Sequence, residues 1–138
     1  MKNISYDYFS KDYSHPADRR RFVGFIKNHN FLINEYKKPY DLKIITQCSD
    51  LSNIKNIKSD KKIIFDLCDA ILEEKNYLKK YLRGVIKFFS RQHKYLSFSY
   101  DKLIIEACKK ANVVVCASQS QKKILNKYSQ NVHVIEDI

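Results

Sequence analysis

Glycine and proline are scarce in this chain of 138 residues, with two of each, and tryptophan is absent. Such a composition disfavours collagen-like, low-complexity and disordered classes. It also removes the usual phosphate cradles. With only Gly24 and Gly84 to draw on, neither a G-x-G-x-x-G turn nor a G-x-x-x-x-G-K-[ST] loop can be built, so dinucleotide and P-loop readings lose support. No apolar run approaches the ~20 residues of a membrane-spanning helix. The opening residues, Met1-Lys2-Asn3-Ile4-Ser5-Tyr6-Asp7, lack the apolar stretch of a signal peptide, and a cytoplasmic protein is expected. Cys48, Cys68, Cys108 and Cys116 contain no C-x-x-C pair. Free thiols in a reducing compartment explain them better than zinc or disulfides. No H-x-x-x-H spacing or carboxylate cluster argues for a metal, and no cofactor is expected.

What the chain has in excess is positive charge. Lysine and arginine number 26 against 15 acidic residues, a formal net charge of +11. Such a field attracts nucleic acid, an anionic membrane leaflet or a phosphorylated substrate, and does not choose among them. Lysine as the default surface residue would give the same count.

The most informative stretch is Glu106–Ser118. Ala107, Cys108 and Ala111 give one narrow apolar helical face. Asn112 is expected to end that helix in the left-handed conformation that asparagine tolerates. Val113-Val114-Val115-Cys116-Ala117 is apolar on both faces, the mark of a parallel strand covered from both sides. Ser118-Gln119-Ser120-Gln121 then matches a capping box that opens another helix. Helix, buried strand and capped helix make one winding of an α/β sheet.

The same rhythm runs through the rest. Strands are expected near Ile4–Phe9, at Phe31–Ile33, Tyr40–Thr46 and Lys62–Asp69, and at Asn131–Ile135, with a short helix around Ile54 and Ile57. Alternating strands and helices predict a single α/β domain over 1–138: a doubly wound, mostly parallel sheet with helices on both faces. Its size allows ~70% of the unfolded surface to be buried.

Ligands of such sheets bind beyond the carboxyl ends of the strands. That rule nominates Asp12–Arg21, Cys48–Asp50, Asp66–Asp69, Ser118–Ser120 and Glu136-Asp137. Arg19, Arg20 and Arg21 open a helix, where the dipole disfavours cations. A bound phosphate or carboxylate would resolve that conflict; arginines splayed into water would make it harmless. His15, beside them, is a candidate base or phosphate donor.

A later helix divides its faces. Leu78, Leu82, Val85, Ile86 and Phe89 gather on one side, and Lys80, Arg83, Lys87, Arg91 and Lys94 on the other. An ordinary core stripe under a solvated basic face accounts for this. So does a basic face on anionic lipid headgroups, at ~1 kcal/mol per residue.

Taken together, Ser14-His15-Pro16-Ala17-Asp18-Arg19-Arg20-Arg21-Phe22, Tyr40-Asp41-Leu42-Lys43-Ile44-Ile45 and Ala111-Asn112-Val113-Val114-Val115-Cys116-Ala117-Ser118 resemble the N-terminal half of bacterial two-domain glycosyltransferases with twin Rossmann-like halves, the GT-B fold. The resemblance covers essentially the whole chain. Asn112 stands where that pattern carries aspartate, and the glycine-rich first loop is missing. The resemblance implies an acceptor-binding half, for a glycan or a lipid-linked acceptor, with the C-terminal donor-binding half absent. It implies Asp66 or Asp69 as the group that orients or deprotonates the acceptor hydroxyl. His15, Arg19, Arg20, Arg21 and Ser118 become substrate contacts. Lys80, Arg83, Lys87, Arg91 and Lys94 become a face for peripheral docking on the inner side of a membrane. The alternatives are a small basic module for nucleic acid or another anionic partner, and a stand-alone flavodoxin-like domain. Nucleic acid is disfavoured because the aromatics do not interleave with the basic residues as stacking platforms would.

Overall fold

Short bursts of β-branched and aromatic residues punctuate the chain, and each becomes a strand. A computed structural model describes residues 3–19, 32–33, 39–57 and 60–136. The strands are β1 (Asn3–Tyr6), β2 (Leu32–Ile33), β3 (Leu42–Thr46), β4 (Lys62–Leu67), β5 (Val113–Cys116) and β6 (Val132–Val134). They form one sheet in the order β2-β1-β3-β4-β5-β6, and every neighbouring pair is parallel. The order reverses at β1, with β2 on one side and β3 on the other. The fold is therefore α/β, Rossmann-like and doubly wound, with its switch point between β1 and β3. The helices are α1 (Tyr77–Phe89), α2 (Tyr100–Lys110) and α3 (Gln119–Leu125), with 3-10 turns at Leu51–Asn56 and Ile71–Glu73. Among the described residues no helix is long and apolar enough to cross a membrane.

Strand alternation sorts the core into two clusters. Ile63, Phe65 and Leu67 of β4 and Val114 and Cys116 of β5 meet Ile104, Ala107 and Cys108 of α2 and Leu125 of α3. Ile4, Tyr6 and Ile44 gather on the opposite face. Burial of each large apolar side chain contributes ~1.5–3 kcal/mol. Val113 and Val115 are only half-buried, so β5 is sealed on one face and partly covered on the other. All four cysteines are free, and burial pushes the Cys108 thiol up to about 12.

Two local devices differ in their success as sequence signals. Ser118 Oγ accepts from the Gln121 N–H at 3.2 Å, and Gln121 Oε1 accepts from the Ala117 N–H at 2.8 Å. That is the expected capping box, with its returning arm one residue early. Asn112 does not adopt the expected left-handed cap, because among the described non-glycine residues only Tyr13 and Arg91 have positive φ. Extended Ala111 ends α2 instead. Asn112 bridges to β4, its N–H donating to the Ile63 carbonyl at 2.9 Å while its Oδ1 accepts from the Ile63 N–H at 2.8 Å. Pairing with a strand edge takes the place of the turn.

Helix α1 departs furthest from expectation. It stops at Phe89, with the Arg91 and Gln92 N–H groups closing on the carbonyls of Phe88 and Lys87. Arg91 takes the left-handed position, φ 60°, that glycine usually fills in this kind of helix end. Arg91 and Lys94 thus lie in the following turn rather than on the helix. The helix is also turned over. Leu78, Leu82, Ile86 and Phe89 are exposed, Phe89 to 76%, whereas Lys80 and Lys87 reach inward. The cause is the inner surface they meet. Lys80 Nζ lies 2.6 Å from Asp101 Oδ2, and Lys87 Nζ donates to the Gln47 carbonyl at 2.8 Å. Gly84, between them on the inward face, is buried, and a Cβ built there would stand 2.1 Å from the Ser97 carbonyl oxygen.

Replacing Gly84 by alanine sets two effects against each other. Helix propensity improves by ~1 kcal/mol, while forcing atoms into packed backbone costs ~1–3 kcal/mol. Since the obstruction is a main-chain carbonyl, Gly84→Ala should lower the melting temperature. A raised melting temperature would show that α1 does not seat on Ser97.

Candidate functional site

The switch point between β1 and β3 is where a doubly wound sheet is expected to open. Here it is closed by Asp18, which is fully buried. Its carboxylate accepts from the Tyr6 hydroxyl at 2.6 Å, from the Phe9 N–H at 3.0 Å and from the Ser10 N–H at 2.9 Å. Burial first, then the Asp18 carboxylate, drives the Tyr6 phenol well above its ordinary pKa. This clasp pins the loop after β1. Nothing local marks Asp18 for this role, since no motif shows that a carboxylate eight or nine residues on will fold back over its own strand.

The open space lies one strand further along, beyond the carboxyl ends of β3 and β4 and beneath α1. A cleft of about 270 Å³ there is lined by Gln47, Cys48, Asp69, Arg83, Lys87 and Tyr100, among others. A cavity of about 480 Å³ adjoins it and shares Asp69 and Arg83. Gln47 organises the cleft. Its carbonyl accepts from the Tyr100 hydroxyl at 2.7 Å and from Lys87 Nζ at 2.8 Å. Its side-chain amide trades two hydrogen bonds with Asp69, Nε2 to Oδ2 at 2.5 Å and the Asp69 N–H to Oε1 at 3.1 Å. Lys87 Nζ also stands 5.1 Å from the centre of the Tyr100 ring.

The electrostatics follow from burial. Desolvation holds the Lys87 ammonium below its ordinary pKa; Cys48 opposes this and Arg83 adds to it. The Cys48 thiol is pushed up by burial, against the pull of Lys87. His93, buried beside Tyr100, is held below its usual value by burial and then by Lys87. Basic side chains, Arg83 and Lys87, share this space with one carboxylate, Asp69. Such a place suits an anion with a hydroxyl attached. Among the described residues no three of His, Cys, Asp and Glu are grouped to hold a metal ion.

The residues nominated from the sequence separate. Asp69 lines the cleft; Asp66 does not, being buried where its Oδ1 accepts from the Cys68 thiol at 3.8 Å and its charge reaches the Tyr6 phenol. Ser118 is taken up by its cap. His15 is exposed, its ring stacked on Phe9 at 4.9 Å and its Nδ1 accepting from the Ala17 N–H. Arg19 is exposed, and Arg20 and Arg21 lie outside the described residues. Of the five basic residues assigned to a docking face, Arg83 and Lys87 line the cleft, Lys80 pairs with Asp101, and Arg91 and Lys94 are exposed. Gln47 and Tyr100 were missed. A glutamine at the end of a strand and a tyrosine opening a helix carry no motif.

The Lys87 pKa sets a stability test. A lysine whose folded pKa lies below its unfolded value penalises folding fully below that lowered pKa, and the penalty fades as pH rises from there and is gone above the ordinary 10.5. Methionine at this position removes the charge and keeps the stem, and Tyr100 still satisfies the Gln47 carbonyl. Lys87→Met should therefore raise the melting temperature at pH 7, by a margin that narrows toward alkaline pH. A lower melting temperature at pH 7 would mean that the buried ammonium is stabilising where it stands.

Compared with known protein families, with curated proteins and with solved structures, the chain finds no match.

Proposed function

We propose that this domain is the acceptor-side half of a two-domain glycosyltransferase working at an anionic membrane surface. The observation that carries the reading is the cleft where β3 and β4 end, lined together by Asp69, Arg83 and Lys87. A sugar-accepting hydroxyl needs a group to orient it and take its proton, and a positioned carboxylate supplies that. Asp69 has one oxygen engaged by the Gln47 amide, which fixes its plane. Asp66 has no comparable access and drops out of the role.

The membrane part of the proposal rests on the outward side of α1. Leu78, Leu82, Ile86 and Phe89 are exposed together with Tyr95 and Phe98 of the following turn. The exposed cations Lys75, Lys79, Arg91 and Lys94 flank them. Apolar residues at headgroup depth with cations beside them fit an anionic leaflet, and the net charge of +11 favours the same partner. The docking chemistry is thus mixed, apolar in the middle and basic at the ends. A stand-alone ligand-binding domain is the second reading, favoured by the flavodoxin-like strand order.

A complementation assay separates the readings. The domain alone, given nucleotide-sugars and a lipid-linked acceptor in anionic vesicles, should give no turnover above a heat-treated control. Supplied with a donor-binding half it should transfer sugar, and Asp69→Asn should cut the rate by ~100-fold or more. Leu82→Ser with Ile86→Ser should slow transfer on vesicles and leave a water-soluble acceptor unaffected. Turnover by the domain alone, or full transfer by Asp69→Asn, would contradict the proposal.

A further inference from the structure

Asp69 is the one carboxylate that lines the cleft together with Arg83 and Lys87. Arg83 and Lys87, one helical turn apart on the inward side of α1, enter no ion pair among the described residues. Arg83 Nη1 is buried without a hydrogen-bond partner. The carboxylates lining the two cavities are engaged elsewhere. Asp69 is held by Gln47, Glu73 accepts from the Ser120 hydroxyl at 3.1 Å, and Glu74 accepts from the Asn76 N–H at 3.2 Å. A guanidinium atom withdrawn from water with nothing to donate to is costly unless a ligand completes it. Lys87 has a carbonyl and an aromatic face, neither of which carries a full negative charge.

We propose that Arg83 and Lys87 form a binding site for a phosphate group at the mouth of the β3–β4 cleft. The two residues divide the work by their chemistry. A guanidinium presents a planar fork to two phosphate oxygens, and an ammonium supplies a point charge to a third. Their desolvated setting strengthens both contacts, since no competing water or carboxylate has to be displaced from Nη1. Asp69, which lines the same cleft, disfavours an anion beside itself and is left to meet the neutral portion of the same molecule. This deepens the acceptor reading above, on which the identity of the ligand rests, by naming the part of the acceptor that the cleft grips. It moves the phosphate away from Arg19, which is exposed, to residues that the sequence reading gave to the lipid surface.

The site is tested without any sugar transfer. Titration calorimetry would measure binding of inorganic phosphate, and separately of a short-chain phosphatidic acid kept below its micelle concentration. Each would be measured with the unaltered chain and with Arg83→Gln, Lys87→Met, Arg83→Lys and, as a control at an exposed lysine away from α1 and the cleft, Lys127→Gln. Arg83→Gln and Lys87→Met should weaken both ligands about ten- to hundred-fold. Arg83→Lys should recover part of that loss, and Lys127→Gln should bind like the unaltered chain. Tighter binding of the lipid phosphate would assign the group to a lipid-linked ligand, and equal binding would assign it to a water-soluble one. Loss of affinity in Lys127→Gln equal to that in Arg83→Gln would overturn the proposal, as would unchanged affinity in Arg83→Gln and Lys87→Met. Because phosphate binding is read directly, its failure is distinct from failure of the transfer assay: intact binding without transfer removes the glycosyltransferase reading and keeps the site.

Discussion

The backbone carbonyl of Gln47 is the point on which the carboxyl edge of the sheet depends. Strand β3 ends there, and a carbonyl turned into a buried corner must find donors. It finds two, the Tyr100 hydroxyl from the first residue of α2 and the Lys87 ammonium from the last turn of α1. The side chain of the same residue holds Asp69 just past β4. One residue thus joins two strands and two helices. Tyr100, buried to 1% exposure, fixes the start of α2 relative to the sheet, and Lys87 fixes the roll of α1.

That roll decides what the domain presents to its surroundings. With Lys80 drawn to Asp101, Lys87 to Gln47 and Gly84 seated against Ser97, Leu78, Leu82, Ile86 and Phe89 have only the outer side left, while Val85 and Phe88 are half-buried. A large apolar patch on an otherwise charged domain marks a surface meant to be covered. Inside, the same rotation brings Arg83 into the cleft with Asp69. A single helix therefore carries both halves of the functional proposal, the surface that docks and the cations that face the ligand.

Much of the architecture was legible because it rests on local pattern. The apolar runs at Leu42–Thr46, Lys62–Leu67 and Val113–Cys116 are parallel neighbours, and the edge strand at Leu32–Ile33 pairs with β1. Ser118 caps α3 through a motif of four residues. The rest depends on contacts distant in sequence. Amphipathicity divides α1 into two faces but cannot say which faces in, since that is decided by acceptors at Gln47 and Asp101. Asn112 looked like a turn residue until Ile63 offered it a strand edge. Asp18 carries no motif of its own, and its role comes only from Tyr6 and the loop after β1 closing around it. Of the site residues expected from the sequence, Asp69 lies in the cleft. Arg83 and Lys87 join it there in a role opposite to the one their spacing suggested.

The most direct measurement of the central claim is the reactivity of individual lysines. Brief acetylation of the native domain, mapped by mass spectrometry, reports which ammonium groups reach water. If α1 turns its basic side inward, Lys80 and Lys87 should be acetylated far more slowly than their exposed neighbours Lys75 and Lys79, and unfolding should abolish the difference. Native Lys80 and Lys87 reacting as fast as Lys79 would place the apolar side of α1 in the core and contradict the account.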